Sequence, residues 1–325
     1  MTVTRTTVAL TLLAALLLAM PFFVGSYVLS VLIVCLFAAY LGQSWNIMMG
    51  FAGQLSLGHA LYVGLGAYAS AALFVRLGVL PWVGIAAGVV LATLAGAIIA
   101  ALSFRFAVTG VYFALLTIAF DELTRVLFDH FAWVGGSAGL FLPVTTFARE
   151  DVLHLRGSPV MFYYLLLALA AAALLLSRVL LRRRIGFYWL AIREDEAAAE
   201  ALGIDAFRYK LAAVTLSAAL TAVAGGITAF YDNNLYPDNL FSTARSVEII
   251  VAPIIGGTGT LFGPIVGAFL LTGLGEVLTN LGAIFGVPGL KQWLYGASLV
   301  AIVMLQPAGV WPWLAARLGL SEGKR

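Results

Sequence analysis

The chain has 325 residues, 62% hydrophobic and only 10% charged, with a mean hydropathy of +1.04. An average soluble domain carries about 25% charged residues, so a soluble globular protein is excluded and a polytopic membrane protein is expected. The net charge of +3 calls for no nucleic acid, because basic residues collect in the cytoplasmic loops of membrane proteins.

A helix needs about 20 apolar residues to cross a hydrocarbon core of about 30 Å. Segments 8–24, 27–49, 56–75, 81–104, 109–128, 160–181, 211–230, 261–281 and 290–305 meet that requirement. The first follows Arg5 and resembles a signal peptide, but membrane segments continue straight after it, so it reads as a retained helix. Cys35, the single cysteine, lies in an apolar run. It excludes an intramolecular disulfide and reads as an inert buried thiol.

Glycines gather in two places, GFAGQLSLGHALYVGLGAY (50–68) and GGTGTLFGPIVGAF (256–269). Each is a polar turn leading into a helix. Gly58, Gly64 and Gly66 in one, and Gly263 and Gly267 in the other, leave surfaces that neighbouring backbones can approach closely. Similar patterns in two halves are the mark of an internal pseudo-repeat with short broken helices. Around the first turn, Gln43, Asn46, Gln54, Ser56 and His59 form a polar run between two membrane helices. Ser56 is placed to cap the helix that follows and to aim its amides at a translocation path. The other reading is a satisfied cap, packing glycines and a histidine at the membrane interface.

Asp121, Glu122, Arg125 and Asp129 fall at the end of segment 109–128. Asp121 with Arg125 (i,i+4) and Glu122 with Arg125 (i,i+3) can pair on one helix face. They mark either a pathway at membrane depth or a helix end emerging into water. The loop 131–159 that follows contains GGSAGL (135–140) and the charges Arg149, Glu150, Asp151 and Arg156. It is the longest outside segment, with enough polar surface to meet an external partner or simply to be solvated.

Residues 178–210 are a charged island holding 7 of the 18 Lys and Arg and 5 of the 15 acids. Its basic excess places it in the cytoplasm. Residues 193–202 contain good helix formers and no Pro or Gly, so a surface helix is expected there, as a docking element for a soluble partner would be. Beyond it, 231–244 carries Asp232 and Asp238 outside, and the tail with Arg317, Lys324 and Arg325 returns inside. That requires 245–255, headed by Arg245 and Glu248, to cross as a short span. Ten segments with both termini cytoplasmic follow. Nine would result if 245–255 is re-entrant, leaving the basic C-terminus outside.

The histidines (His59, His130 and His154) and the lone cysteine form no metal or nucleophile constellation, and HExxH and CxxC are absent from the sequence. No enzyme and no metal site are expected.

The strings GFAGQLSLGH (50–59), GVYFALLTIAF (110–120), GGSAGL, EAAAEALG (196–203) and GGTGTLFGP, in that order, resemble the permease subunits of branched-chain amino-acid ABC importers of the LivM type. The resemblance covers about residues 27 to 306. It implies an all-α ABC importer permease fold, a single transmembrane domain over 1–325 with a cytoplasmic coupling loop at 182–210. The implied function is inward movement of leucine, isoleucine and valine across the cytoplasmic (inner) membrane. The implied partners are a second homologous permease, two ATP-binding subunits and an external solute-binding protein. EAAAEALG matches the loop that docks in the ATPase, which assigns coupling to Arg193, Glu194, Glu196, Ala197, Ala198, Glu200, Leu202 and Gly203. The chain lacks GxxxxGK[ST] and so the phosphate-cradling loop; it needs no cofactor of its own, and ATP is used by the partners. Candidate path residues are Gln54, Ser56, His59, Tyr112 and Thr117. A urea or short-amide permease of the same group is the alternative cargo. An ion-driven carrier is the alternative class, for which Asp121, Glu122, His59, Glu248 and Glu276 are the available relay groups.

Overall fold

The computed structural model describes residues 15–143, 151–285, 293, 296, 297, 300, 301 and 304–317. The first part of the expected span 8–24 (8–14), most of 290–305, and Arg5, Arg149, Glu150, Lys324 and Arg325 lie outside the described residues.

Among the described residues the regular structure is helical, apart from one antiparallel pair of two-residue strands. The helices are α1 (Ser26–Asn46), α2 (Ala60–Leu77), α3 (Pro81–Arg105), α4 (Val111–His130), α5 (Pro159–Arg182), α6 (Arg184–Glu194), α7 (Glu196–Ala201), α8 (Ala206–Asp232), α9 (Pro237–Leu240), α10 (Thr243–Gly256), α11 (Gly263–Phe285) and α12 (Val310–Arg317). The strands β1 (Leu140–Phe141) and β2 (Asn234–Leu235) pair Leu140 with Leu235 and Phe141 with Asn234.

Five helical stretches, Ser26–Phe51, α2, α3, α5 and α8, are long and apolar enough to cross a membrane. The count of ten crossings is not reached among the described residues. Helix α4 has the length, at 20 residues, but Asp121, Glu122, Arg125 and Asp129 lower its hydropathy. Helix α10 has 14 residues and spans about 21 Å at 1.5 Å per residue, shorter than the hydrocarbon core. It also contains Pro253, which removes an internal hydrogen bond and limits extension.

Helix α1 is the axis of the bundle. From Ala39 to Asn46 every residue is buried, including Tyr40 and Trp45. It does not stop at Asn46 but widens into a π-turn, Ile47–Phe51; π-turns of this kind occur often at functional sites. Helices α2, α3 and α8 form the tightest block, and small residues are the cause. A Cβ on Gly66 would run into the backbone of Ala222, and one on Gly225 into that of Val63. Without a hydrophobic drive between helices in lipid, such close backbone approach is what holds them together. The outer faces of α3 and α4 expose Val90, Leu94, Ile98, Leu115, Leu123 and Leu127, as expected of surfaces turned to lipid rather than water.

The expected span 56–75 begins later than the sequence suggests, at Ala60 rather than Ser56, because residues 53–59 run as irregular backbone. Ser56 does not cap it. The first helical amide, Ala60 N–H, donates instead to Ser246 Oγ of α10 at 2.9 Å, and Leu57 N–H donates to Thr117 Oγ1 of α4 at 3.0 Å. The first orphan donor of this helix start is thus satisfied from another helix, while Tyr62 and Val63 N–H turn to His59 O.

Candidate functional site

The charged island folds as a hairpin of two short helices rather than one. Asp195 leaves helical geometry (φ −156°, ψ 106°) and its Oδ1 accepts from Ala198 N–H at 3.0 Å. An aspartate competes for backbone amides in this way and favours a cap over a helix interior. The expected helix over 193–202 is therefore broken at Asp195 into α6 and α7.

The exit from α7 is a Schellman turn. Gly203 has φ +84°, its N–H donates to Glu200 O at 2.9 Å, and Ile204 N–H reaches back to Ala199 O at 3.1 Å. A left-handed residue at this position is nearly free for glycine and strained for others. Asp205 then caps α8 by accepting from Arg208 N–H at 3.1 Å. The inner side of the hairpin is apolar: Ile192, Ala199 and Ala206 pack together, and buried Trp189 donates from Nε1 to Tyr209 O at 2.8 Å.

The expected coupling residues divide into two groups. Glu194, Ala197, Ala198, Glu200, Leu202 and Gly203 are exposed, and Leu202 is an apolar side chain left 83% accessible. Arg193 is exposed as well, with its side chain 34% accessible, and Glu196 is half-buried, but both reach back to the bundle. Arg193 Nη1 donates to Gly50 O at 2.5 Å, while Nη2 pairs with Glu194 at 2.7 Å. The same guanidinium lies against Gly259. Glu196 pairs with Lys210 of α8. The Lys210 side chain is only 4% exposed and its Nζ also lies over the Phe104 ring at 4.6 Å. Both contacts tie the hairpin to the bundle.

The two glycine turns meet at Arg193. Asn46 reads the second turn as a strand would, its Oδ1 accepting from Gly259 N–H at 2.8 Å and its Nδ2 donating to Thr260 O at 2.9 Å. Gln43 Nε2 adds a bond to Leu261 O at 3.0 Å. Thr260 Oγ1 accepts from Gly263 N–H at 3.0 Å and so caps α11. Two of the three side-chain amides of the polar run, Gln43 and Asn46, thus join α1 to the turn before α11.

Gln54, Ser56, His59 and Thr117 are brought together, but as packed interior rather than as the wall of an open path. All four are buried. His59 Nε2 lies 2.9 Å from Ser217 Oγ, and its Nδ1 3.3 Å from Ser56 Oγ. Ser217 and Ser44 exchange bonds, each hydroxyl donating to the other's carbonyl at 2.7 Å, and Ser44 Oγ touches Thr221 Oγ1 at 2.6 Å. Trp45 Nε1 donates to Ser56 O at 2.9 Å, and Gln54 closes locally on Ala52 O at 2.9 Å. Tyr112 is apart from them. It lies in the first turn of α4 with 75% exposure, because the helix turns that side outward.

Asp121 does not pair with Arg125. It is buried, accepts from Ser246 Oγ at 3.2 Å through Oδ2, and leaves Oδ1 without a partner. Arg125 serves Glu122 (2.5 Å), Asp129 (3.1 Å) and Asp238 (2.6 Å) instead. The chain Asp121–Ser246–Ala60 N–H ties α4, α10 and α2 at one point. Ser44, Ser217, Thr221 and Ser246 went unread in the sequence. Their signal was present, as hydroxyls on otherwise apolar helices facing small residues.

Apolar helices interrupted at two touching polar turns, with a hairpin clamped to both, form the architecture of a membrane permease. The family described as branched-chain amino acid transport system / permease component matches residues 27–303, and the chain belongs to that family. It is similar to the high-affinity branched-chain amino acid transport system permease protein LivM of Escherichia coli (strain K12), with 29% identity over 97% of this chain and 76% of that protein. The protein of the same name from Salmonella typhimurium is 28% identical over 94% of this chain and 75% of its own length. The autoinducer 2 import system permease protein LsrC of Klebsiella pneumoniae is 30% identical over a shorter stretch, 39% of this chain and 37% of its own. No solved structure matches the chain.

Proposed function

We propose that this chain is the translocation subunit of an ABC importer that carries leucine, isoleucine and valine into the cell. The family membership and the LivM relatives support that cargo over urea or short amides, and support an ATP-driven permease over an ion-driven carrier. The chain forms one transmembrane domain in the inner membrane, with both termini and the loop 182–210 in the cytoplasm and the loop 131–159 outside. It works beside a second related permease, above two ATP-binding subunits, and receives substrate from an external solute-binding protein. The chain supplies no hydrolytic chemistry.

The observation that carries this reading is the two-sided hairpin. Its outer side offers Glu194, Ala197, Ala198, Glu200, Leu202 and Gly203 to a soluble subunit, while its inner side ends on Gly50 through Arg193. Closure of the ATPase pair displaces α7. Arg193 and the Glu196–Lys210 pair carry the displacement to the two glycine turns and to α8. Helices α1 and α11, joined at Asn46, then tilt and open the path on one side. The cargo biases this equilibrium only through its different affinity for the two states. Gln54, Ser56, His59 and Thr117 act as the packed hinge of the outward or inward swing.

The test is uptake of radiolabelled leucine, isoleucine, valine and urea into proteoliposomes containing the whole complex, ATP and binding protein. ATP-dependent accumulation of the three amino acids is expected. Accumulation of urea alone, or uptake by this chain without its ATPases under a sodium or proton gradient, would overturn the reading.

A further inference from the structure

Away from the hinge, helices α1, α10 and α11 enclose an open groove of about 530 Å³, within the 300–1,000 Å³ typical of small-molecule sites. Its composition is divided. Phe37, Leu41 and Leu271 make an apolar floor, and Val34 stands at the rim with half its surface exposed. The polar groups are Arg245, Glu248 and Glu276. Ionisable side chains on membrane helices are rare and mark substrate or ion pathways.

The charged groups are fixed yet incompletely used. Arg245 lies over the Phe37 ring at 5.3 Å and donates through Nη1 to Glu248 at 3.2 Å. Among the described residues its Nε and Nη2 have no acceptor, so one edge of the guanidinium fork is free. Glu276 accepts a hydrogen bond from Tyr27 Oη and retains further lone pairs.

We propose that this groove is a way-station for a free α-amino acid with a branched apolar side chain; the proposal rests on the import reading above. The free edge of Arg245 takes the substrate carboxylate in a two-pronged contact, the geometry for which guanidinium is suited. Glu248 and Glu276 take the ammonium group. The side chain lies on Phe37, Leu41 and Leu271. Urea can hydrogen-bond to these polar groups, but it brings no carboxylate for the guanidinium and no tail for the apolar floor.

The experiment uses the whole complex in proteoliposomes. Leucine uptake by the parent complex decides the import reading by itself; its absence would sink that reading whatever the groove does. In an active complex, R245Q is expected to lower leucine uptake at least about tenfold and R245K about threefold, since lysine keeps the charge without the fork. Co-purification of the ATPase subunits with each variant shows that the complex has assembled. V34F narrows the rim and is expected to shift the valine-to-leucine uptake ratio about fivefold towards valine, given the 10–200-fold range for one methylene in a pocket. V34A shifts the ratio the other way, and decides the matter where the larger ring prevents assembly. R245Q retaining more than half of parental leucine uptake overturns the proposal. An unchanged ratio in the assembled Val34 variant overturns it as well, whatever R245Q does, and identifies the groove as a seat for the partner permease.

Discussion

The guanidinium of Arg193 donates to the carbonyl oxygen of Gly50 at 2.5 Å, across 143 residues of sequence. That contact makes the hairpin and the turn after α1 one mechanical piece. Gly259 lies against the same side chain, so the turn before α11 belongs to it too.

Replacing Arg193 by alanine is expected to separate motor from path. Initial leucine uptake by the reconstituted complex should fall at least about tenfold, while the ATPase subunits still co-purify because Glu200, Leu202 and Gly203 remain on the free face. Arg193→Lys should recover part of the loss, since an ammonium can reach one carbonyl but not pair with Glu194 at the same time. Equal uptake in the alanine variant would exclude the clamp.

The Glu196–Lys210 pair predicts a stability effect. Removing one partner of a buried ion pair costs about 3–5 kcal/mol because the other charge is left uncompensated. Glu196 is 39% exposed, so solvent reduces this to about 1–2 kcal/mol for Glu196→Ala. Thermal unfolding of the detergent-purified chain should show a lower midpoint. The double change Glu196→Ala with Lys210→Met should regain most of it, and failure to do so would disprove the pairing.

Gly203→Ala tests the turn rather than the partner. Placing a side chain at φ +84° costs about 1–2 kcal/mol. ATP hydrolysis by the complex should continue while its stimulation by binding protein falls, as the end of α7 loses its fixed direction. Combined with Glu196→Ala, the change should uncouple hydrolysis from uptake without affecting membrane insertion.

Asn46 joins the two broken-helix units through a donor and an acceptor. Asn46→Ala leaves Gly259 N–H and Thr260 O, both half-buried, without this partner, at about 1 kcal/mol each. Asn46→Asp keeps an oxygen to accept from Gly259 N–H and loses only the amide donor to Thr260, so it should be the milder change. Unfolding midpoints of the two variants, measured in the same detergent, check this order.

Gly66→Leu addresses the α2–α8 contact. A side chain there meets the backbone of Ala222, which cannot give way, so the cost exceeds the 1–3 kcal/mol usual for overpacking. The variant is expected to fail to accumulate as folded protein, whereas Gly78→Ala, where a Cβ meets open space but φ is +64°, should lose only about 1–2 kcal/mol. Comparable yields of the two would contradict the packing described.

Much of this architecture was legible in the residues. The apolar runs located α1, α3, α5 and α8 within a few positions, since length and hydropathy alone decide a span. Helix at the surface over 193–202 was also readable from its good helix formers, although Asp195 breaks it in two. What pairs across the chain was not. Nothing in EAAAEALG shows that Glu196 faces Lys210 while Glu200 faces out, because that depends on the angle at which α8 leaves the hairpin. Asp121 and Arg125 have good spacing for a pair, yet Asp129 and Asp238 compete for the guanidinium and Ser246 takes the aspartate. Tyr112 was grouped with Thr117 by motif, although five positions along a helix turn the two to different sides.

The cluster of Ser44, Ser217 and Thr221 would ease any shift of α1 against α8. A hydroxyl swivels about one bond and can give or receive, so neighbours may be exchanged during a shift without stranding any group in oil. A guanidinium–carboxylate couple at that depth would act as a bolt; alcohols act as a bearing surface. Their presence at the crossing of these two helices leaves the bundle firm at rest and cheap to reset.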